Sequence, residues 1–281
     1  MKRILITGAG SYIGTSFESY IKEKYPGEYV IDTVDMLGDA WRDFDFSPYD
    51  TVFHVAGIAH RRETKENAQL YYEVNRDMTV ETAKMAKVSG VRQFVFLSTM
   101  SVYGIECGVI SESTPASPKS NYGKSKLQAE EMLFKLQSDC FKVAVLRPPM
   151  VYGKGCKGNF QSVVGIVRRS PIFPKVENRR SMIYIDNLSE FVRLVVDRDL
   201  SGIFFPQNAE YVSTAVMARI ISEELEKKLI FDAVTGFLIR ASIPFLSLTK
   251  KAFGNLIYEN TEVFDFCYCN VEAEESIRKS V

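Results

Sequence analysis

A tyrosine and a lysine four residues apart are the first groups in this chain that could perform acid–base chemistry. The segment Tyr122-Gly123-Lys124-Ser125-Lys126 opens a predicted helix. Tyr122 and Lys126 therefore share one helix face, because side chains at i and i+4 are neighbours. An ammonium beside a phenol favours the phenolate and turns tyrosine into a usable base. A surface tyrosine beside a solvated lysine would have the same spacing, so the pair needs support from other residues.

Hydroxyl side chains provide that support, because they follow a buried strand upstream of the pair. The strand predicted at 94–98 runs into Ser98, Thr99 and Ser101. Ligands of doubly wound sheets bind beyond the carboxyl ends of the strands. One of these hydroxyls could therefore hydrogen-bond a substrate oxygen that Tyr122 protonates or deprotonates.

A glycine-rich turn, TGAGSYIG, follows the first predicted strand and precedes a helix. Glycines allow a tight turn and close backbone approach, and the amides at a helix N-terminus attract a pyrophosphate. An ordinary strand-to-helix loop can also be glycine-rich, but the position at the start of a βαβ unit favours dinucleotide binding. The candidate cofactor-binding residues in this turn are Gly8, Gly10, Ser11, Tyr12, Ile13 and Gly14.

A carboxylate at the end of the second predicted strand suits the ribose of such a cofactor. Asp35 lies 21 positions after Gly14, near the spacing of about 20 expected for a ribose ligand. No arginine follows it directly, so NAD is favoured over NADP. Asp32 is the alternative ligand, although it would lie within the strand.

Composition restricts the partners of the chain. Its 281 residues contain 35 Lys plus Arg and 35 Asp plus Glu, so no net field attracts nucleic acid or an anionic membrane. We expect neither partner, and we expect an anionic ligand to be held by local groups. No apolar run approaches the ~20 residues of a membrane span, and the N-terminal run is too short for a signal peptide. A cytoplasmic protein with five buried, reduced cysteines is expected. Two histidines without a cluster of other ligands predict no metal site.

Short apolar runs alternate with helical patterns in the first half, which is typical of a parallel sheet covered by helices on both faces. We predict strands at 3–7, 29–34, 50–56, 94–98 and 142–146, and helices at 13–24, about 69–89 and 122–136. Residues 1–150 are expected to form the NAD-binding domain and residues 151–281 a smaller α/β substrate-binding lobe. Helices of that lobe are predicted at 161–169, 187–197, 214–227 and after 271.

In order along residues 2 to about 200, the chain carries TGAGSYIG, HVAG, VNRDMTV, LSTMSVYG, YGKSK and RPPMVYGKG. It thereby resembles the extended short-chain dehydrogenase/reductase family, in the NAD-dependent branch of nucleotide-sugar epimerases, dehydratases and reductases. The resemblance implies a Rossmann-like doubly wound sheet and a homodimer formed through the helices near 69–89 and 122–136.

The resemblance also implies roles for individual residues. It selects Thr99 as the residue whose hydroxyl acts in catalysis, with Ser98 and Ser101 as weaker candidates. It also implies that Lys126 holds the nicotinamide ribose. Ala56, Gly57 and Val151 would contact the cofactor.

Four further residues are candidates for contact with the substrate. Arg180 resembles the arginine that contacts the nucleotide diphosphate, with a solvated basic turn as the alternative. Asn159 and Phe160 resemble the segment that covers the nucleotide, although Phe160 could simply fill space between lobes. His60 could reach the sugar or lie in a surface loop.

The sequence therefore predicts an enzyme that epimerises carbon 4 of a UDP-hexose or UDP-N-acetylhexosamine through a 4-keto intermediate. Tyr122, Thr99 and Lys126 are its predicted catalytic residues. The alternatives are a nucleotide-4-keto-sugar reductase that uses NAD(P)H and a noncatalytic dinucleotide sensor.

Overall fold

The computed structural model describes residues 1–59, 61–259 and 264–281, and at 247 and 248 it describes the backbone alone. His60 lies outside the described residues. The described chain divides into two compact units. The first unit comprises Met1–Gly104, Ala116–Pro148 and Leu188–Pro206, and the second comprises Ile105–Pro115, Pro149–Asn187 and Gln207–Val281.

Strands and helices alternate along the first part of the chain. In chain order the elements are β1 (Lys2–Thr7), α1 (Tyr12–Lys24), β2 (Tyr29–Val34), β3 (Thr51–His54), α2 (Ala68–Tyr72), α3 (Thr79–Val88), β4 (Gln93–Leu97), β5 (Gly108–Ile110), α4 (Asn121–Phe134) and β6 (Lys142–Leu146). Of these, only β5 belongs to the second unit.

Shorter elements follow. They are β7 (Met150–Tyr152), α5 (Asn159–Arg169), β8 (Ile172–Pro174), β9 (Met182–Tyr184), α6 (Ile185–Asp197), β10 (Gly202–Phe204), α7 (Thr214–Glu224), β11 (Ile230–Asp232), α8 (Ala233–Ser242), α9 (Ser247–Phe253), β12 (Leu256–Tyr258) and α10 (Ala273–Lys279).

The first unit is built on a six-stranded parallel sheet in the order β10-β6-β4-β3-β1-β2. The chain winds to one side of β1 through β2 and to the other side through β3. This reversal of strand order places a ligand crevice beyond the carboxyl ends of β1 and β3. The predicted Rossmann-like doubly wound α/β fold is confirmed.

Apolar side chains cover both faces of this sheet. On one face, Phe94 of β4 and its strand neighbours pack with alanines and leucine of α3 and α4. On the other face, Phe17 of α1 meets Phe53 edge-on with ring centroids 5.2 Å apart, and Phe191 of α6 meets Phe204 at 6.1 Å. The nearly continuous apolar runs of the strands are explained by this two-sided burial.

The second unit contains three two-stranded parallel ladders, β11 with β8, β12 with β5 and β7 with β9. Helices α5 and α7 pack against each other, as do α7 and α10. No described helix is long and apolar enough to cross a bilayer.

Two features of the chain path differ from the sequence prediction. Strand β10 was not predicted, and its pairing with β6 brings residues 188–206 into the first unit. Strand β5 pairs with β12, which brings residues 105–115 into the second unit. The units therefore depart from a single division after residue 150, because strand pairing joins segments distant in sequence.

The long helix predicted near 69–89 is present with one irregularity, and one other local prediction is wrong. The long helix near 69–89 contains a stretch of π-helix, Glu73–Met78, between α2 and α3. Of the five cysteines only Cys156 is buried, whereas Cys107, Cys140 and Cys267 are exposed and Cys269 is half-buried. Cysteines in surface segments lack the helix or strand periodicity from which burial can be inferred.

Replacing a central aromatic should destabilise the sheet strongly. Phe94 is fully buried and stacks on His54, with ring centroids 5.5 Å apart. We expect Phe94→Ala to lower the free energy of unfolding by about 3–5 kcal/mol, since it removes a large buried ring. Urea denaturation measures the change. Val88→Ala, at a position 89% exposed, is the control and should stay within about 0.5 kcal/mol of wild type; an equal loss in both variants would contradict this packing.

Candidate active site

The carboxyl end of β4 holds the predicted hydroxyl groups. Thr99 caps a short 3-10 helix, Met100–Tyr103, and its hydroxyl oxygen accepts a hydrogen bond from the Ser101 amide at 3.1 Å. The Thr99 side chain is half-buried. Ser98 is buried, and its hydroxyl donates a hydrogen bond to the Glu130 carboxylate. This geometry favours Thr99 over Ser98 as the hydroxyl available to a ligand.

Helix α4 carries the tyrosine and the lysine, and its N-terminus is fixed by side chains. The Ser120 hydroxyl accepts from the Gly123 amide at 3.0 Å. The two carboxylate oxygens of Glu63 accept from the amides of Asn121 and Tyr122, at 2.9 and 3.1 Å. Three amides that a helix leaves without internal partners are therefore satisfied, and a negative charge lies at the positive end of the helix dipole.

Lys126 is buried beneath this region with its ammonium directed at the sheet. Its Nζ donates to the Leu97 carbonyl at 2.8 Å and lies 4.5 Å from the centroid of the Phe96 ring. Burial lowers the pKa of Lys126 to about 7, while the nearby Glu130 carboxylate opposes that shift. A Cβ placed on Gly57 would lie 3.2 Å from Nζ. The ammonium is therefore adjacent to the turn after β3.

Tyr122 shows the opposite of the expected pKa change. Burial raises the pKa of its phenol above 10, Tyr71 adds to the rise, and a hydrogen bond with Thr99 lowers it. Lys126 is not among the causes of this shift, and its ammonium is bound to the Leu97 carbonyl. The effect of Thr99 on this pKa nevertheless places the two hydroxyl groups near each other.

A buried ion pair lies behind these groups. The Arg147 guanidinium donates to both carboxylate oxygens of Glu130 and, at 2.8 Å, to the Tyr103 hydroxyl. Neither member of the pair is more than a tenth exposed. Because Ser98 also donates to Glu130, the carboxylate links α4 with the ends of β4 and β6.

Asn75 fixes the turn after β3 from within the π-helical stretch. Its side-chain oxygen accepts from the Ile58 amide at 2.7 Å, and its amide nitrogen donates to the Ile58 carbonyl at 3.1 Å. The same nitrogen donates to the Ser125 hydroxyl of α4 at 3.3 Å. A single fully buried amide therefore connects the HVAG turn with the helix that carries Tyr122 and Lys126.

His54 is a core residue and has no ligand-binding role in this arrangement. Its two ring nitrogens hydrogen-bond the hydroxyls of Thr7 and Thr79, at 2.7 and 3.0 Å. Burial, with a smaller effect of the Lys126 charge, lowers the pKa of His54 to about 3. The ring is therefore neutral throughout the physiological range.

The glycine-rich turn has the shape that a pyrophosphate requires. Gly8 has φ +113°, and a Cβ there would lie 2.9 Å from the Ala56 amide nitrogen, so only glycine fits. Gly10 has φ +72°, and a Cβ there would meet nothing within 4 Å. Ser11 caps α1 by accepting from the Gly14 amide at 3.2 Å. The first turn of α1, which includes Tyr12 and Ile13, contains no acidic residue to repel an anion.

Asp35 lies next to this turn at the end of β2. The amides of Gly8 and Ala9 donate to the Val34 carbonyl, which places the turn against the residue that precedes Asp35. The Asp35 side chain is exposed and accepts from the Leu37 amide at 3.0 Å. Asp32, the alternative, lies within the strand and accepts from the Tyr49 hydroxyl. The structure thus favours Asp35 as the ribose ligand.

These features fit a dinucleotide. An open glycine turn at a helix N-terminus, a carboxylate at the end of β2 and a lysine beside Gly57 all lie at the carboxyl edge of one parallel sheet. The residues that would hold the cofactor are Gly8, Gly10, Ser11, Tyr12, Ile13, Gly14, Asp35, Ala56, Gly57, Tyr122 and Lys126.

The predicted substrate residues belong to the second unit. Phe160 is fully buried and stacks on Tyr152 with centroids 5.3 Å apart, which favours a packing role over contact with a nucleotide. Asn159, the first residue of α5, is exposed. Val151 is half-buried in β7.

Arg180 is not part of a solvated turn. It is 9% exposed, its guanidinium donates to the Gly254 carbonyl at 3.1 Å, and burial lowers its pKa. Arg179 beside it is exposed, over the ring of Tyr211. A phosphate contact by Arg180 stays a prediction.

Sequence reasoning missed the carboxylates that support the site. Glu63 lies in a polar loop 58 residues before Asn121, and Glu130 meets Arg147 across 17 positions. A glutamate in such a loop gives no local sign of capping a distant helix. Glu130 did offer one clue, because it continues the face of Tyr122 and Lys126 at the same four-residue spacing.

Comparison with known proteins identifies relatives of the chain. The profile of the NAD dependent epimerase/dehydratase family matches residues 4–204. A UDP-glucose 4-epimerase of Vibrio cholerae is 32% identical over 254 residues, which is 80% of this chain and 76% of that protein. The N-acetyl-alpha-D-glucosaminyl-diphospho-ditrans,octacis-undecaprenol 4-epimerase of Escherichia coli O157:H7 is 26% identical over 216 residues, covering 71% of this chain and 64% of that one.

A solved structure shares the fold. The UDP-glucuronic acid 4-epimerase of Bacillus cereus, in complex with NAD, superposes with a TM-score of 0.76 at 17% identity. The alignment covers 99% of this chain and 95% of that one.

The buried lysine should make stability depend on pH. Because the pKa of Lys126 is about 7 in the folded chain and about 10.4 when unfolded, its desolvation cost is complete below pH 7 and declines as the pH rises. We expect wild type to gain about 2–3 kcal/mol of unfolding free energy relative to Lys126→Met between pH 7 and pH 9. Urea titrations of the protein without cofactor measure this. Lys124→Met, an exposed change on the same helix, should show no such trend; parallel curves for wild type and Lys126→Met would contradict the shift.

Proposed function

This chain belongs to the NAD-dependent epimerase/dehydratase family, and from that premise we propose that it is an enzyme that inverts carbon 4 of a UDP-linked hexose with NAD as cofactor. The proposal rests on one observation above all. The Thr99 hydroxyl acts on the Tyr122 phenol and lowers its pKa at the carboxyl end of the parallel sheet, with the Lys126 ammonium on the same helix as Tyr122. The curated relatives of known activity described above are both 4-epimerases, which supports the same reaction.

The residues of the chain divide the acid–base work. Tyr122 removes the proton of the sugar hydroxyl at carbon 4 and later returns a proton to the same oxygen. Thr99 donates a hydrogen bond that holds this oxygen during both transfers. Lys126, fixed by Leu97, supplies positive charge beside the cofactor ribose, and Glu63 and Asn75 keep α4 and the HVAG turn in position.

The cofactor supplies what the side chains lack. Bound NAD would supply a hydride acceptor and donor for carbon 4, and the positive charge of its oxidised ring would favour the phenolate form of Tyr122. The configuration at carbon 4 would be inverted if the sugar presented its other face when the hydride returns. In the chain alone, burial raises the pKa of Tyr122 and keeps the phenol protonated.

The remaining substrate contacts are proposed for residues of the second unit. We propose that Arg180 engages the diphosphate, which a planar guanidinium can bind through two hydrogen bonds at once. Asn159 and Val151 are proposed neighbours of substrate and nicotinamide. We propose that the enzyme is a homodimer, as the family resemblance implies, and that it acts in the cytoplasm, as expected from the sequence.

Product analysis tests the reaction. Purified protein is incubated with UDP-glucose, UDP-galactose and their N-acetylhexosamine counterparts, with and without NADH. Conversion between the two epimers without net cofactor consumption supports the proposal. Stoichiometric NADH oxidation with a UDP-4-keto sugar would instead identify a reductase, and dinucleotide binding without turnover would identify a sensor.

Removing the phenolic hydroxyl should abolish turnover without preventing cofactor binding. We expect Tyr122→Phe to reduce kcat by about 10²–10⁴-fold, the usual contribution of a positioned acid–base group. Tyr72→Phe is a matched control, since the Tyr72 hydroxyl donates to Asn121, which lies on the same helix as Tyr122. Epimer formation followed by NMR measures both variants, and a fully active Tyr122→Phe enzyme would refute the mechanism.

The ribose carboxylate should set the cofactor preference. Asp35→Asn removes a charged acceptor for the ribose hydroxyls, so the Kd for NAD should rise about 10- to 100-fold, while repulsion of a 2′-phosphate is relieved. Asp32→Asn is the comparison, and it should leave NAD binding largely unchanged. Calorimetric titration with NAD and NADP measures both; a loss confined to Asp32→Asn would reverse the assignment.

A further inference from the structure

Helix α8 in the second unit packs through one face and exposes apolar side chains on the opposite face. One face lies directly on the chain after β8, since a Cβ on Gly236 would be only 2.3 Å from the Lys175 carbonyl oxygen. The opposite face presents Val234, Phe237 and Leu238 to solvent, at the i, i+3, i+4 spacing of one helix face, with exposures of 68, 70 and 60%. The outward face of an ordinary surface helix is polar, so this exposed apolar face is unusual.

The exposed apolar surface continues beyond the helix. Phe245 and Leu246, in the segment that joins α8 to α9, are 83% and 54% exposed. We call Val234, Phe237, Leu238, Phe245 and Leu246 the α8 ridge. Single exposed apolar residues are ordinary, but five large ones within 13 consecutive residues indicate a surface that another body covers.

Charge around the ridge is mainly positive, although Lys251 is paired with Glu106 at 3.3 Å. Residues 227–258 contain five Lys or Arg and one acidic residue, Asp232, a net charge of +4 in a chain whose total is zero. The carboxylate of Asp232 is used within the helix, where it accepts from the Thr235 amide at the N-terminus of α8. Arg240 is exposed within α8, and Lys250 follows the ridge in α9. The partner of this surface should therefore be apolar inside and anionic outside.

We propose that the α8 ridge is a peripheral docking surface for a lipid bilayer that contains anionic headgroups. The ridge side chains enter the boundary between headgroups and acyl chains, and Arg240 and Lys250 contact the lipid phosphates. The proposal is independent of the proposed reaction, because it uses none of the catalytic or cofactor residues.

A second copy of the chain fits this surface less well. In a two-fold symmetric contact each patch faces its own copy, so the cations of both copies would be brought together. The structure also explains why the sequence suggested no membrane partner. Total charge is balanced, but the structure shows that cations and exposed apolar side chains are collected in one short segment.

Vesicle sedimentation with the full chain tests the proposal. The vesicles contain phosphatidylcholine alone or with a minority of phosphatidylglycerol. Wild type should sediment with the anionic vesicles, more weakly with neutral ones, and less as salt is raised. Phe237→Ser/Leu238→Ser should weaken binding at least tenfold, since two large apolar side chains no longer enter the bilayer. Val88→Ser/Val216→Ser, at exposed apolar positions of α3 and α7, is the matched control and should bind like wild type.

The cations require a separate variant. Arg240→Gln/Lys250→Gln should weaken binding to anionic vesicles about 10- to 30-fold and leave binding to neutral vesicles unchanged, since each cation near an anionic surface contributes about fivefold. Circular dichroism confirms that every variant is folded. The proposal fails if wild type does not sediment with anionic vesicles, or if the ridge variant sediments as wild type does. It also fails if light scattering shows that the only effect of Phe237→Ser/Leu238→Ser is to convert a larger assembly of the chain into a smaller one.

Discussion

The hydrogen bond from the Lys126 ammonium to the Leu97 carbonyl is the contact on which the arrangement of the site depends. It ties α4 to the carboxyl end of β4, where Thr99 begins the next turn. The contact costs desolvation, as the lowered pKa of the lysine shows. A buried cation of this kind is retained where charge is needed at a fixed place, and here that place is the edge of the sheet at which a cofactor of this family would lie.

Supporting groups convert this contact into a defined geometry. Glu63 fixes the N-terminus of α4, Asn75 joins the same helix to the HVAG turn, and Glu130 with Arg147 anchors its middle. Tyr122 is thereby held against Thr99 by backbone and buried side chains rather than by a flexible loop. Such preorganisation lets a modest set of hydroxyl and amine groups carry out proton transfer.

Much of this could be predicted from the sequence, because the decisive signals are local. The Gly8 turn, Asp35 and the pair Tyr122 and Lys126 each lie within or beside one element, and the structure places them at the same sheet edge. What could not be predicted depends on contacts between distant segments. Glu63 caps a helix 58 residues away, and β10 joins the sheet only through its pairing with β6. The pKa of Tyr122 was misjudged for the same reason, since the burial that raises it results from packing between segments distant in the chain.

Titration of the Tyr122 phenol tests the central claim most directly. Carbon-13 labelling at the tyrosine ring, with the Tyr122→Phe spectrum used for assignment, follows this group by NMR with and without NAD. The account predicts a pKa above 10 for the chain alone and a clear fall when NAD is bound, because the oxidised ring adds positive charge near the phenol. A Tyr122 resonance that titrates identically in both states would show that the tyrosine does not lie against the cofactor, and the proposed chemistry would be wrong.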